Sequence, residues 1–568
     1  MSQFVRRYLL FALLLTIWLA GAGCNPQTSA PPAQSTTTSV DSGAISAQLH
    51  AIAASGHLRD LNWPDFSDYR LHFQHIYESS NFAPIWINNN KPTPQALGVI
   101  QALEASRQKG LNPDDYDASR WSERLQALDH APTPDTLARF DAALTVGAMR
   151  YISDLHIGRV NPKRLSLDLD IEQNKYDLPH FVTTEVIHAA DVQNVLNEVE
   201  RPYDGYRRTE AALQHYLQLA AQGDGPAVPD VAKTITPGGS YAGINQLAQR
   251  LRLLGDLHAD RQIDTAATTY GGPIVDGVKT FQSRHGLTVT GNLDKETVRR
   301  LNVPLAFRVQ QLQDALERWR WLPLQFPQPP IVANIPEFIL RVFGPDLKVV
   351  LEMNVVVGRA MRSQTPVFAK DMKYIVFRPY WNVPPSIIRA EIIPSIVKNR
   401  NYIANKNFEV TDHSGNVITD GPISDSVLAQ LSAGKLTVRQ KPGPNNSLGL
   451  VKFLFPNEYN VYLHSTPAPQ LFSQSRRDFS HGCVRVEKPA ELAAYLLRNQ
   501  GWTLDKVQTA MQSGANNQQV NLTTPVPVLM LYVTAVAEED GTVHFFDDIY
   551  GYDKQLEAIL AKGQPYPG

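Results

Sequence analysis

Through residues 46–235 apolar side chains recur at intervals of three and four, as in TPQALGVIQALEASRQKG and RRTEAALQHYLQLAAQG, which predicts amphipathic helices. The stretches LNPDDYD and HIGRVNPKR interrupt that period with turn residues. The aromatic cluster of IYESSNFAPIWINNN reads as core. Residues 240–305 repeat the helical period in a shorter unit. There Leu247, Leu251 and Leu254 share a face and Gly255 falls where a helix ends. Val278 and Phe281 mark a second helix, Gly286 and Gly291 a turn, and Thr297 and Leu301 the start and filling of a third. Residues 307–323, FRVQQLQDALERWRWLP, predict one more amphipathic helix, stopped at Pro323.

After that proline the period changes. IVANIPEFILRVF, KVVLEMNVVVG, KYIVFRPYWNVP, LVKFLFPN, NVYLHST and PVPVLMLYVTAVA are short runs rich in β-branched residues, bounded by Pro and Gly, and predict strands. SIIRAEIIPSIVKNRNYI inserts a helical pattern among them. A chain of 568 residues exceeds the roughly 250–300 at which single cores stop growing. The expected fold class is therefore multidomain α+β. A helical scaffold over 46–235 is followed by a three-helix module over 240–305, a linking helix over 306–324 and a β-rich domain over 325–535. A C-terminal segment, 536–568, is expected to pack on the scaffold or on the β-rich domain.

The first residues add an address. Arg6 and Arg7 precede an apolar run from Tyr8 to Ala20 and then small residues, which reads as a signal peptide over 1–23 rather than a membrane anchor. Cys24 closes that stretch where a bacterial lipoprotein would be cut and lipidated, although Gly21 stands where such signals usually carry Leu. Ala20-Gly21-Ala22 equally satisfies ordinary signal peptidase. Residues 24–45, rich in Ser, Thr, Pro and Ala, predict a flexible tether. The expected location is the periplasmic cell envelope, with a lipid anchor through Cys24 as one route to a membrane.

Charge narrows the partners and cysteine count narrows the chemistry. Lys and Arg number 53 against 55 for Asp and Glu, with no long basic run, so nucleic acid is not an expected partner. There are two cysteines. If Cys24 is acylated or removed, Cys483 has no partner within the chain, and an exported protein that keeps one thiol is expected to use it. A thiol needs a base or a positive field to ionise near neutral pH. Here His464, nineteen residues upstream, His481 and Arg485 are at hand. If NVYLHST and CVRV are neighbouring strands, His464 faces Cys483 across the sheet. Gly482 lets backbone approach a ligand closely.

His464 followed by SHGCVRV, residues 480–486, resembles the signature of the L,D-transpeptidase family with its YkuD-type catalytic domain. RPYWNVPPSI, RQKPGPNNSLGLVKFLFPN and the order of helical scaffold, module and β-rich domain resemble that family's large periplasmic branch. FQSRHGLTVTG resembles the core of a peptidoglycan-binding module. The resemblance implies Cys483 as nucleophile and His464 as base and then acid, with the Ser465 carbonyl orienting its ring. It implies an oxyanion site at His481, Gly482 and the Cys483 amide. Substrate binding falls to Arg485, Tyr380, Trp381 and Asn382, and a cap over about 400–450 covers the site. The implied reaction joins peptidoglycan stem peptides by 3-3 cross-links with release of D-Ala, using no cofactor and no metal. Peptidoglycan stems and glycan are the implied partners, with other cell-wall enzymes beside them. Water as acceptor would make an L,D-carboxypeptidase, and a lipoprotein lysine an anchoring enzyme. A non-catalytic wall-binding lipoprotein is a reading of a different class, and the intact set of His464, His481, Gly482, Cys483 and Arg485 argues against it.

Overall fold

The computed structural model of the protein describes residues 41–130, 132–264, 266–360 and 363–566. The expected signal peptide, Cys24 and most of the tether lie outside these residues. Helix α1 (Ser42–Ser55) begins inside the stretch read as tether, because Asp41 caps it by accepting from the Gly43 amide at 2.9 Å. Helix α2 (Pro134–Ile157) packs against it, and α3 (Asp204–Gln222) is the other long helix of the scaffold. Thr133 caps α2, which is buried along most of its length. Tyr77 and Trp86 of the aromatic cluster are fully buried against this helix, bonded to Asp141 and Thr145.

The three-helix module consists of α4 (Ile244–Leu253), α5 (Pro273–Arg284) and α6 (Lys295–Leu301). Leu247, Leu251, Val278, Phe281 and Leu301 share its core. Its third helix is capped by Asp294, whose side chain accepts from the Thr297 amide at 2.7 Å, so Thr297 lies in the first turn and does not begin the helix. His285, in the HGL motif, is buried between Phe281 and Phe545 of the C-terminal segment.

The linking helix α7 (Leu305–Arg320) departs from a surface amphipathic helix. Its polar residues Asp314, Glu317 and Arg320 are fully buried, because the scaffold and the C-terminal segment pack on its polar side and supply partners to several of these groups. Glu317 Oε1 accepts from the Arg159 and Val160 amides at 2.6 and 2.9 Å, and Arg318 pairs with Asp553 at 2.6 Å. Gln311 donates to the Phe546 carbonyl.

Beyond α7 the strands are β1 (Ile331–Asn334), β2 (Ile339–Phe343), β3 (Val349–Gly358), β4 (Phe368–Phe377), β5 (Trp381–Asn382), β6 (Phe408–Thr411), β7 (Val417–Thr419) and β8 (Thr437–Gln440). They continue with β9 (Val451–Leu454), β10 (Leu463–His464), β11 (Asp478–Ser480), β12 (Val484–Val486), β13 (Gln518–Leu531), β14 (Ala535–Ala537) and β15 (Val543–Phe545). The main sheet runs β11-β3-β12-β10-β9-β4-β13-β1-β2, and β2 also pairs with β3, so it closes into a barrel with β11 attached outside the ring. Alternate residues fill the interior, among them Val355, Val357, Ile375, Phe377, Val451, Phe453, Leu463, Val484 and Val486.

A second sheet, β5-β8-β6-β7, belongs to an insertion between β4 and β9. It packs on the helical run from Pro385 to Lys398 around its own core of Val383, Ile388, Ile396, Phe408, Val410 and Val438. The insertion thus starts at Trp381, earlier than the 400–450 expected for a cap. The helical pattern in SIIRAEIIPSIVKNRNYI is part of the same unit. Within that run Ile388–Ile392 is a π-turn that precedes Pro394, a residue with no N–H to continue the regular ladder. The C-terminal segment reaches both the scaffold and the barrel. Gln564 Nε2 donates to Asp154 at 3.1 Å, Tyr566 bonds Asp115, and Tyr550 donates to the Gly358 carbonyl at 2.6 Å.

Candidate active site on the outer face of the barrel

Strands β10 and β12 are parallel neighbours, with Leu463 opposite Val484 and His464 opposite Arg485. Leu463 and Val484 point into the barrel, so His464 and Arg485 lie on its outer face. The same row extends through Lys452 on β9, paired with His464, to Val376 on β4, and through Arg485 to Val356 on β3. Two residues back along β10 and β12 on that face come Tyr462 and Cys483. The sequence predicts His464 opposite Cys483; the register puts Tyr462 there and His464 one step along the same face.

The imidazole of His464 is buried, with Nδ1 2.5 Å from the Ser465 carbonyl oxygen. With Nδ1 as the donor, Nε2 carries the free lone pair. Burial, reinforced by the Arg485 and Lys452 charges, drives its pKa down to about 3, so the ring is neutral at ordinary pH. The peptide around Ser465 is seated against Gly449, whose φ is +63°. A Cβ there would come within 2.5 Å of Ser465 Oγ, so only glycine fits.

Cys483 is half-buried, with Sγ 3.7 Å from the Asn460 carbonyl oxygen. Burial pushes its thiol pKa up, while Tyr462 and Lys452 act in the opposite direction. Ahead of it the backbone turns at Gly482, φ +115°, where a side chain would be strained although space exists for a Cβ. This conformation by itself favours glycine here. The Gly482 amide donates to Ser480 Oγ at 3.2 Å, and Ser480 donates to the Cys483 carbonyl at 2.6 Å. The Gly482 N–H is therefore already engaged, whereas the Cys483 amide has no acceptor among the described residues. Thr365 fixes the loop from below, donating to the Gly482 carbonyl at 2.7 Å and accepting from the Gly358 amide at 2.9 Å.

His481 is engaged by the insertion. Its Nε2 lies 2.7 Å from Glu391 Oε1 in the π-turn of the insertion, which links the roof of the site to the loop beneath. Arg485 is partly buried, its Nε has no hydrogen-bond partner among the described residues, and the neighbouring Arg359 adds a second guanidinium. Both lack a carboxylate partner among the described residues, which leaves positive charge directed at the site. Tyr380, Trp381 and Asn382 separate from one another. The Tyr380 ring stacks under Arg439 at 4.5 Å, Trp381 packs on Phe408 in the insertion core, and Asn382 is exposed on β5. No sequence motif singles out Lys452, Tyr462, Gly449, Thr365 or Glu391. Lys452 sits within the VKFLF run, where strand alternation alone places a lysine beside buried Val451 and Phe453. No group of three or more His, Cys, Asp or Glu among the described residues is arranged to hold a metal, and no described helix is long and apolar enough to cross a membrane.

Comparison with known proteins places these features. Residues 329–528 match the family described as L,D-transpeptidase catalytic domain (YkuD), residues 240–301 match "Putative peptidoglycan binding domain", and residues 72–213 match "Scaffold domain". A Haemophilus influenzae protein named "Putative L,D-transpeptidase" is 35% identical over 226 residues, which is 40% of this chain and 45% of that protein. The chain thus spans under half the length of that relative. From the barrel, the loop at Cys483 and these matches together, the protein is a multidomain α+β chain whose helical scaffold, three-helix module and barrel match, in turn, the scaffold-domain, peptidoglycan-binding-domain and YkuD L,D-transpeptidase catalytic-domain families.

Proposed function

We propose that the protein is a peptidoglycan L,D-transpeptidase of the cell envelope, forming 3-3 cross-links with Cys483 as nucleophile. The observation that carries this reading is the outer barrel face that gathers Cys483, Tyr462 and a neutral, carbonyl-oriented His464 within the catalytic-domain match. The Cys483 sulfur attacks the carbonyl carbon of the third residue of a tetrapeptide stem. The C–N bond to the terminal D-Ala breaks, and its amine leaves with the proton taken up from the thiol through His464 Nε2. The amine of a second stem then attacks the thioester, passes a proton to His464 and frees Cys483. The Cys483 amide faces the carbonyl oxygen as it gains charge, and Arg485 with Arg359 meets a stem carboxylate. Peptide bond energy already present in the wall is conserved through the thioester, so neither ATP nor metal enters. The peptidoglycan-binding domain holds the chain on its polymer, and Cys24 anchors it to a membrane.

The test uses purified protein, disaccharide tetrapeptides and mass spectrometry. A dimer lacking one D-Ala is the expected product, absent with Cys483→Ala. Undiminished product from Cys483→Ala overturns the nucleophile, and monomer lacking D-Ala as the sole product replaces transpeptidation by carboxypeptidase activity.

A further inference from the structure

Lys452 is a half-buried lysine with no ion pair or hydrogen bond at Nζ among the described residues. Leaving an ammonium in such a place is costly unless something negative meets it. Its strand position answers where that partner lies. Lys452 shares the outer row with His464, and its Nζ sits 5.7 Å from the centre of the Tyr462 ring, which is the residue opposite Cys483. The charge is therefore directed across Tyr462 toward the sulfur. The other ionisable groups around Cys483 do not supply this. His464 is held neutral by burial, His481 is turned to Glu391, and Arg485 and Arg359 lie on the opposite side, along β12 and at the end of β3. Tyr462 is half-buried, which pushes its pKa up, and its hydroxyl stays protonated, so it can donate to sulfur.

Resting on the reading of Cys483 as nucleophile, we propose that Lys452 is the positioning charge that stabilises the Cys483 thiolate, with the Tyr462 hydroxyl as hydrogen-bond donor between them. The usual cysteine–imidazolium pair is replaced by a cysteine–ammonium pair. His464 remains free to shuttle the proton between thiol and leaving amine. When the thioester forms, the negative charge leaves the sulfur, and it returns beside the ammonium when the second amine displaces Cys483.

Alkylation of Cys483 by iodoacetamide, a neutral reagent, reports the thiolate directly. It is followed on the full chain by mass spectrometry of the peptide containing Cys483, from pH 5 to 9, with thermal unfolding as a control on the fold. Lys452→Met is expected to move the alkylation midpoint to higher pH and to slow the reaction at neutral pH by roughly tenfold, because a midpoint about one pH unit higher leaves about a tenth of the thiolate there. Lys452→Arg, which keeps the charge, retains the wild-type midpoint. A Lys452→Met profile that superimposes on the wild type overturns the proposal, as does a Lys452→Arg profile equal to that of Lys452→Met in folded protein. If either variant fails to fold, Lys452→Gln supplies the same comparison. An unchanged alkylation profile with a raised KM for the stem peptide reassigns Lys452 to substrate carboxylate binding. None of these outcomes touches the nucleophile itself, which stands or falls with Cys483→Ala.

Discussion

His464 shows what one buried ring does to the whole protein. Its folded-state pKa of about 3 lies below the unfolded value near 6.5, so the unfolded chain binds the proton that the native ring refuses. Stability from this group is complete above about pH 6.5 and is lost as pH falls from there toward 3. At pH 5 the loss amounts to about 2 kcal/mol. His464→Gln, which cannot take up a proton, is expected to flatten the decline of the thermal midpoint between pH 7 and 5. An equally steep decline in the variant would show that the ring protonates in the native state. Of the site residues, those with distinctive chemistry were legible in the sequence: Cys483, His464 and Arg485 share one barrel face. His481 was legible as an ionisable neighbour but not in direction, because its partner Glu391 comes from a distant insertion. Gly449 lies within the stretch RQKPGPNNSLGLVKFLFPN, yet its need for glycine was not legible, since it arises from contact with Ser465 rather than from any local pattern.

Among the elements, the insertion between β4 and β9 has a core separate from that of the barrel. Ile396 is fully buried in it, and Ile396→Ala removes side-chain contacts worth about 2–5 kcal/mol there. Hydrogen exchange is expected to speed up from β6 to β8 while β3, β4 and β13 keep their protection. Uniform acceleration across the barrel would mean the two cores unfold as one. The strands of the barrel were legible because alternation of Val, Ile and Phe with polar residues survives wherever one face is interior. The period of α7 was legible too, yet its environment was not. A polar stripe reads as solvent-facing, and only the assembled molecule shows that Glu317, Arg318 and Arg320 meet partners from the scaffold and the C-terminal segment. The early start of the insertion at Trp381 is hidden for a related reason, since Tyr380, Trp381 and Asn382 read as a cleft wall while the Trp381 ring belongs to the insertion core.

At the scale of the molecule, residues 41–568 form one compact unit, in which domains recognisable by sequence are bound by buried polar contacts. The tail is part of that binding. Gln564 and Tyr566 satisfy Asp154 and Asp115 in the scaffold, and Gly563 lies so close to Trp63 that a Cβ would be 2.0 Å from the ring. A chain ending at Lys562 leaves those carboxylates buried without these donors, at about 1–3 kcal/mol each. Its thermal midpoint is expected to fall by several degrees, with proteolysis beginning in the scaffold; an unchanged midpoint would assign the tail no structural part. Composition and motif order announced the parts, but not such contacts, which join residues remote in sequence and carry no periodic signal. The pairing of β1 with β13 has a further consequence, for the order of events during folding. Ile331 must wait for Val528 before the barrel can close, so during synthesis the loop holding Cys483 emerges before the last wall of the barrel exists. Helices upstream have local contacts and can form first, whereas Cys483 acquires its surroundings only at the end. Until then its thiol is exposed, and late closure makes the interval before β13 docks the period of greatest chemical vulnerability for the chain.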